Sequence, residues 1–559
     1  MDIAARITAA LQKALTGLGI EGVTPALEHP TELAHGDFAT NVALAAAKAA
    51  KKNPKALAEE VVAAVGTIDG VEKVEVAGLG FINFYLTRAF VASTVVDIAA
   101  IGSEWGKGGL LAGKRVMYEY TDPNPFKVFH IGHLMSNTLG ESLARLAEYS
   151  GAVVVRANYQ GDIGPHVAKC VWGVMQKQFD PNDIAALGEA YVYGSSAYES
   201  DPTAKQEIDD INKRLYAKDP ELQPIYDAGR KASLEHFEEL YALLGTKFNH
   251  YFFESEVGPV GIEVVKEGLT QGVFEESDGA VVYKGEKVGL HTRVFITKAQ
   301  TPTYETKELG LDKTKFEKEK LDRSVIVTAN EQDGFFKVVL AAMAEVLPDV
   351  AAKTVHISHG MMVLTTGKMS SRKGDVVTGE SLINDMREQA LEKMASRDLG
   401  DQKESIADAV AVAAIKFEVL KQGSGKNIVF DPVQSLSFEG DSGPYLQYAH
   451  TRALSILAKA RAERIQPSGA MAPESMTDLE RMLYRFPEVV QRAMESYEPH
   501  YVTTYLTQIA GLYNAWYATT TIVDPTDPHS PYRIALTEAF AHTMRNGLWL
   551  LGIKAPERM

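Results

Sequence analysis

Val116-Met-Tyr-Glu-Tyr120 runs straight into Thr121-Asp-Pro-Asn-Pro-Phe-Lys-Val-Phe-His-Ile-Gly-His133, and this junction decides the fold. The first five residues read as a hydrophobic strand, and Pro123 and Pro125 break the next stretch into a polar turn. A helical pattern then covers 132–150, and a second β-rich run covers 153–155 and leads to Tyr159. Strand, helix and strand of these lengths make a βαβ unit, hence a parallel sheet with its ligand site beyond the carboxyl end of the first strand. The turn carries chemistry suited to that place. Gly132 has no side chain and lets a purine approach the backbone, while His130 and His133 at a helix start can donate to phosphate oxygens.

Outward from this unit, residues 1–88 read as a small α+β module. Helical patterns cover the stretch up to Leu15 and again 40–65, and strand patterns lie at 71–76 and 81–86. Glycines 102, 106, 108, 109 and 113 punctuate a linker into the main domain, expected at 112–385. Residues 171–298 read as one long insertion, after which strand patterns return at 324–328 and 354–356 to close the sheet. Beyond 385 the chain is expected to be helical to residue 559.

The bulk composition narrows the function classes. A chain of 559 residues, 45% hydrophobic and 23% charged, has the length for two to four domains. Cys170 is the single cysteine, which excludes an internal disulfide and any zinc site built on several thiolates, and points to the cytoplasm. The first eighteen residues alternate apolar and charged positions as an amphipathic helix and not as a secretory signal, and no uncharged run is long enough to cross a membrane. A net charge of −16 weighs against nucleic acid only weakly, because a local basic stripe matters more than the total.

A second motif, Gly367-Lys-Met-Ser-Ser-Arg-Lys-Gly374, comes after the last strand pattern. Glycines at its ends permit movement, and Lys368, Arg372 and Lys373 suit a triphosphate whose charge shifts toward leaving pyrophosphate. Taken together and in this order, the two motifs resemble the paired signatures of class I aminoacyl-tRNA synthetases. The second signature departs from the pattern: Ser371 stands where the class usually has a second lysine. In the arginyl group an extra lysine just ahead of the first signature compensates, and Lys127 stands there. Further stretches resemble the arginyl-tRNA synthetase family nearly end to end: His35-Gly-Asp-Phe-Ala-Thr-Asn41, Gly80-Phe-Ile-Asn-Phe84, Asn158-Tyr-Gln-Gly-Asp-Ile-Gly164, Thr303-Tyr-Glu-Thr-Lys-Glu-Leu-Gly310, Gly443-Pro-Tyr-Leu-Gln-Tyr-Ala-His450, and the end from Gly547.

The resemblance implies an α/β fold: a Rossmann-like parallel-sheet catalytic domain with an insertion, a small N-terminal α+β domain that contacts tRNA, and an all-helical C-terminal anticodon-binding domain at 386–559. It implies Lys127, His130, His133 and Lys368 as catalytic residues, and His130, Gly132, His133, Lys368, Met369, Ser370, Ser371 and Arg372 around ATP. It places the α-amino and carboxylate groups of arginine near Asn124, His133 and Gln332, and the guanidinium near Glu254, Tyr304 and Glu308. Carboxylates in fork geometry suit a planar five-donor cation. The family usually has Asp where this chain has Glu308. For tRNA, the C-terminal helices offer Tyr445, Tyr448 and Arg452 on one face and Tyr513, Trp516 and Tyr517 in a second cluster, with rings that can stack on unpaired bases. Arg481, Arg485 and Arg492 read as sharing a helical face that is either solvated or tracks the RNA backbone. ATP with Mg2+ is expected as substrate, with no bound organic cofactor and no protein-held metal. The expected partners are L-arginine and tRNA(Arg), the chain a monomer, and activation dependent on bound tRNA. Another ATP-dependent enzyme of the same superfamily and a non-catalytic tRNA-binding paralogue are the competing readings.

Overall fold

The computed structural model describes residues 3–365 and 377–559, in two compact units. The motif Gly367–Gly374, and with it Lys368, Met369, Ser370, Ser371 and Arg372, lies outside the described residues.

The first unit comprises Met1–Trp105, Arg452–Pro487 and Gln508–Met544. Helix Ile3–Gly17 buries Ile3, Ile7, Leu11 and Leu15 along one stripe, as their four-residue spacing requires. The helical stretch expected at 40–65 is two helices, Val42–Ala50 and Pro54–Val65, because Lys51 turns left-handed and Asn53 caps a helix that opens on Pro54. Strands β1 (Phe38–Thr40), β2 (Val71–Ala77) and β3 (Phe81–Leu86) form an antiparallel sheet in the order β1-β3-β2. Asp37, from the His35–Asn41 stretch, is wholly buried, and its carboxylate accepts the Leu86 backbone N–H at 2.8 Å. That polar motif therefore holds the module together. Helix Asp478–Leu483 is tied to the module by an Arg88–Glu480 ion pair at 3.0 Å and by Arg481 donating to the Leu33 carbonyl at 3.0 Å, and Tyr484 enters its core. The C-terminal stretch 386–559 is thus not a single compact unit, as segments of it belong to each of the two.

The second unit contains the parallel sheet. Its strands are β4 (Arg115–Glu119), β5 (Val153–Gln160), β6 (His250–Phe253), β10 (Arg323–Ala329) and β11 (Thr354–His359), ordered β11-β10-β4-β5-β6 with every neighbouring pair parallel. The chain steps from central β4 outward through β5 to β6, then returns to the other side of β4 for β10 and β11. The order reverses at β4, and the crevice at that reversal, beyond the carboxyl ends of β4 and β10, is where such sheets bind ligands. Helix Ile131–Tyr149 leaves β4 and is buried along nearly its whole length, against the sheet and helices Gly379–Lys393 and Lys403–Leu420. The expected domain limit at 385 falls inside the first of those two helices.

The stretch 171–298 is not one insertion. Helices Pro165–Lys177, Ile184–Ser200, Pro202–Tyr216 and Gln223–Leu244 precede β6, which belongs to the parent sheet. Helix Glu254–Thr270 and a small antiparallel sheet of β7 (Glu275–Ser277), β8 (Ala280–Tyr283) and β9 (Arg293–Ile296) come after it. A four-residue strand has too little alternation to announce itself. No described helix is long and apolar enough to cross a membrane.

Candidate active site

The turn after β4 is held in an unusual backbone course, with Thr121 at φ 82, Asp122 at φ 48 and Phe126 at φ 67. Left-handed non-glycine residues persist only where their surroundings over-determine them. Here the Thr121 N–H donates to Ser136 Oγ at 2.9 Å, Asp122 Oδ1 accepts the Tyr159 N–H at 2.8 Å, and the Phe126 N–H donates to Ser233 Oγ at 3.0 Å. Asn124 Oδ1 accepts the Gly161 N–H at 3.0 Å. The turn is thereby fastened to the helix after it and to the end of β5.

His130 and His133 cap helix Ile131–Tyr149 reciprocally. The His133 N–H donates to His130 Nδ1 at 3.3 Å, the His130 N–H donates to His133 Nδ1 at 3.2 Å, and the rings stack with centroids 3.5 Å apart. A β-carbon at Gly132 would come within 3.0 Å of the His130 ring. Because both Nδ1 atoms accept backbone protons, each ring carries its own proton on Nε2. Burial, followed by His130 and Lys127, pushes His133 far below the usual imidazole range, and burial with Lys127 also lowers His130. Both are neutral imidazoles at physiological pH, with Nε2–H donors at the positive end of a helix. Lys127 Nζ lies 5.6 Å from the Tyr191 ring centroid, and its charge is felt by His130, His133, His166 and Glu254, which puts it at the centre of the group. Thr378 pairs with His130 in an isolated bridge, so the helix downstream of the Gly367–Gly374 stretch starts beside the two histidines.

The expected guanidinium residues sit on two tightly packed helices. A β-carbon at Gly261 would lie 1.9 Å from the Thr306 carbonyl oxygen, and one at Gly310 would lie 2.2 Å from that of Val257. Helices Glu254–Thr270 and Tyr304–Lys318 therefore touch backbone to backbone, which brings Glu254 and Glu308 close; both carboxyls act on the Tyr159 hydroxyl near the end of β5. Asp162 fixes the first of these helices, accepting the Ser255 N–H at 3.0 Å and Arg230 Nε at 3.1 Å. Glu254 is buried and paired with Lys307. Burial raises its carboxyl above the usual range although Lys307 opposes that. Glu308 is also buried, and its Oε1 has no hydrogen-bond partner among the described residues. Tyr304 is exposed at the start of the same helix, its ring 5.3 Å from Lys307 Nζ. Gln332 is exposed just beyond the end of β10, across the reversal point from Asn124.

Residues that the sequence alone did not single out complete the site. Lys307 and Asp162 lie inside family-like stretches, so their neighbours signalled them. His166, whose Nε2 lies 2.7 Å from the Gly161 carbonyl, and His359, whose charge is felt by both signature histidines, carried no local signal. Among the described residues no group of three or more His, Cys, Asp or Glu is arranged to hold a metal ion.

The expected RNA-facing residues are divided between the two compact units. Tyr448 packs near Arg397, 6.0 Å from its guanidinium, and Arg452 bonds Asn514 and lies 4.9 Å from the Tyr517 ring of the second cluster. Tyr513 is fully buried and stacked on Phe540 with centroids 4.0 Å apart, which corrects its expected role: its faces are occupied by protein. Trp516 is half-buried and Tyr517 exposed. Arg481 and Arg492 lie on separate helices, and Arg485, between them, is buried, so the three share no face.

Three family models match the chain: class I (R) tRNA synthetase catalytic domain over residues 103–432, DALR anticodon binding domain over 446–559, and arginyl tRNA synthetase N-terminal domain over 1–86. An arginine–tRNA ligase of Streptococcus thermophilus is 32% identical over 566 residues, covering 99% of each chain, and one of Lactococcus lactis is 30% identical with full coverage of both. The arginyl-tRNA synthetase structure from Thermus thermophilus superposes with a TM-score of 0.81 at 26% identity over the whole of both chains.

Proposed function

The chain belongs to the class I arginyl-tRNA synthetase family, and on that premise we propose that it activates L-arginine with Mg-ATP to arginyl-adenylate and transfers the arginyl group to the 3′ end of tRNA(Arg), releasing pyrophosphate and AMP. The arginine carboxylate is itself the nucleophile and attacks the α-phosphate in line, so catalysis rests on positioning and on charge stabilisation. His130 and His133 donate Nε2–H bonds to phosphate oxygens from the helix N-terminus, and Lys127 supplies the cation that Ser371 does not, together with Lys368. The observation that carries the reading is Glu308: a buried carboxyl with an unpartnered oxygen, near Glu254 and at the ligand-binding end of the sheet, suits a cationic side chain. Asn124 and Gln332 bracket the reversal point where the amino acid's polar end belongs. Tyr445, Tyr448, Arg452 and Trp516, with Tyr517, are the residues for RNA. We also infer that the enzyme is a cytoplasmic monomer and that magnesium arrives with the nucleotide.

Pyrophosphate exchange into ATP with each amino acid, with and without tRNA, tests this. Exchange with arginine alone, and only when tRNA is present, is the expected result. Exchange with another amino acid, or tRNA binding with no ATP consumption, overturns it.

A further inference from the structure

Glu308 stands in crowded surroundings. Asp312 is one helical turn further along the same helix, Glu119 ends β4, and Asp122 lies in the turn beyond it, so four carboxyls converge where the sheet meets helix Tyr304–Lys318. Among the described residues one ammonium is buried between them: Lys315 Nζ lies 2.6 Å from Glu119 Oε2 and 2.8 Å from Asp312 Oδ1. Among the described residues the other groups near Glu308 are the Tyr159 hydroxyl from β5, which also has no hydrogen-bond partner there, and the Glu254–Lys307 pair, which is already neutral in sum. If every carboxyl were ionised, the cluster would hold four negative charges against one positive, with Glu119, Glu308 and Asp312 away from water and Asp122 half-buried beside them. Like charges in a desolvated site cannot all stay ionised.

The members differ in what holds their charge. Burial pushes the Glu119 and Asp122 carboxyls up as well, but each has a group that opposes it: Glu119 shares Lys315 with Asp312, and Asp122 Oδ1 accepts a backbone N–H, which favours the carboxylate. Glu308 Oε1 has neither. We propose that Glu308 carries a proton in the arginine-free enzyme and releases it to solvent as the guanidinium docks, so that arginine recognition is an exchange of a proton for a cation. The substrate stays protonated throughout, the carboxyl O–H bond is the one that breaks, and the buffer takes up the proton. Burial, then Asp312, pushes the Glu308 carboxyl far above the usual range, in keeping with the geometry. The consequence for selection is direct: a neutral isostere such as citrulline gives the carboxyl no reason to ionise, and the arginine-free site holds no costly bare charge while waiting. This rests on the arginine reading of the site and goes one step beyond it.

Titration calorimetry of the full chain with L-arginine, with tRNA and without ATP, in buffers of different ionisation enthalpy at pH 7, counts the protons. The expected result is release of about one proton per arginine bound, and a dissociation constant that rises about tenfold for each unit of pH lowered below the carboxyl's arginine-free titration point. Glu308→Gln, the same shape without the titration, is expected to release close to none, and Asp312→Asn, which removes the adjoining charge, to release a fraction. Arginine binding without proton release in the native chain overturns the inference while leaving the arginine reading intact. Undiminished release from Glu308→Gln assigns the proton to another group such as Asp122 and also overturns it, as does undiminished release from Asp312→Asn. No arginine binding at all overturns the functional reading itself.

Discussion

Gly161→Ala is the substitution from which the geometry predicts most. Gly161 lies just past β5, its N–H donated to Asn124 Oδ1 at 3.0 Å. A β-carbon there would fall 2.3 Å from that same oxygen and 3.1 Å from Glu254 Oε1. Ordinary contact begins near 3.4 Å, so the Asn124 amide must retreat by roughly 1 Å or give up its bond to Gly161. Gly161 is not in the left-handed region, so an alanine adopts its backbone without strain and the damage is confined to the two side chains. Overpacking of this kind costs about 1–3 kcal/mol of stability, which a chain this size tolerates. A displacement of about 1 Å in a substrate-orienting group costs about a hundredfold in rate. Arginine-dependent pyrophosphate exchange with tRNA present is therefore expected to show kcat/KM for arginine down by about two orders of magnitude, with the KM for ATP little changed and the melting temperature lowered by only a few degrees. A folded Gly161→Ala enzyme within threefold of wild-type kcat/KM for arginine would refute the placement of Asn124 in the substrate site.

Lys127→Ala is expected to lower the turnover of adenylate formation by roughly tenfold to a thousandfold with little change in arginine KM, measured by single-turnover exchange; near-normal turnover would hand its role to another cation. Tyr513→Ala is expected to destabilise its unit by about 3–5 kcal/mol in urea unfolding, as a buried ring against Phe540, while Trp516→Ala and Tyr517→Ala weaken tRNA binding by about 1–3 kcal/mol each with the fold intact; the reverse pattern would undo the distinction drawn between them. Lys416, wholly buried, donates to the Leu244 and Gly552 carbonyls at 2.6 and 2.9 Å, and burial pushes its amine down to about 7 from 10.5. Between those two pH values the unfolded chain binds a proton that the folded chain lacks, so stability is expected to rise with pH by up to about 1.4 kcal/mol per unit, and Lys416→Met is expected to lose that slope; an unchanged slope would assign it elsewhere.

Legibility in the sequence divides along a physical line, between local signals and long-range ones. The strand–turn–helix after residue 115 declared itself because each of its signals is local: an apolar run, two prolines, and a glycine beside a helix start. The resemblance then named Glu254, Tyr304 and Glu308, which stand on two helices packed backbone to backbone. It did not carry the split of 171–298 by β6, since pairing of Ala157 with His250 and of Gln160 with Phe253 is written in no short window. Nor could a ring's neighbours be read from its spacing. Tyr513 and Tyr517 lie four residues apart on one helix, yet the first is sealed against Phe540 and the second is open, and helical periodicity assigns both to the same stripe.

The same line separates the two levels at which Glu308 can be understood. The Asp312 carboxylate one turn away is visible in the sequence at a glance, but it says only that two acids share a helix face, which on a solvated surface costs a few tenths of a kcal/mol. The chemistry changes when β4 contributes Glu119, the turn contributes the half-buried Asp122, and Glu119, Glu308 and Asp312 are removed from water with, among the described residues, Lys315 between them. In that setting the extra methylene of glutamate has a function beyond reach: it moves the carboxyl further from the backbone of its own helix, and Oε1 ends with no donor from the protein. An aspartate in its place shortens the side chain by one carbon and must either leave a gap before the guanidinium or draw the substrate deeper toward Lys315, whose charge repels it. Glu308→Asp is therefore expected to raise the KM for arginine more than Asn124 substitutions of equal volume change, and to do so with a lowered proton release, since a guanidinium held at greater distance ionises the carboxyl less completely. If Glu308→Asp instead matches the native enzyme in both KM and proton count, the length of this side chain is immaterial and the charge cluster behind it, not its reach, sets the specificity of the pocket.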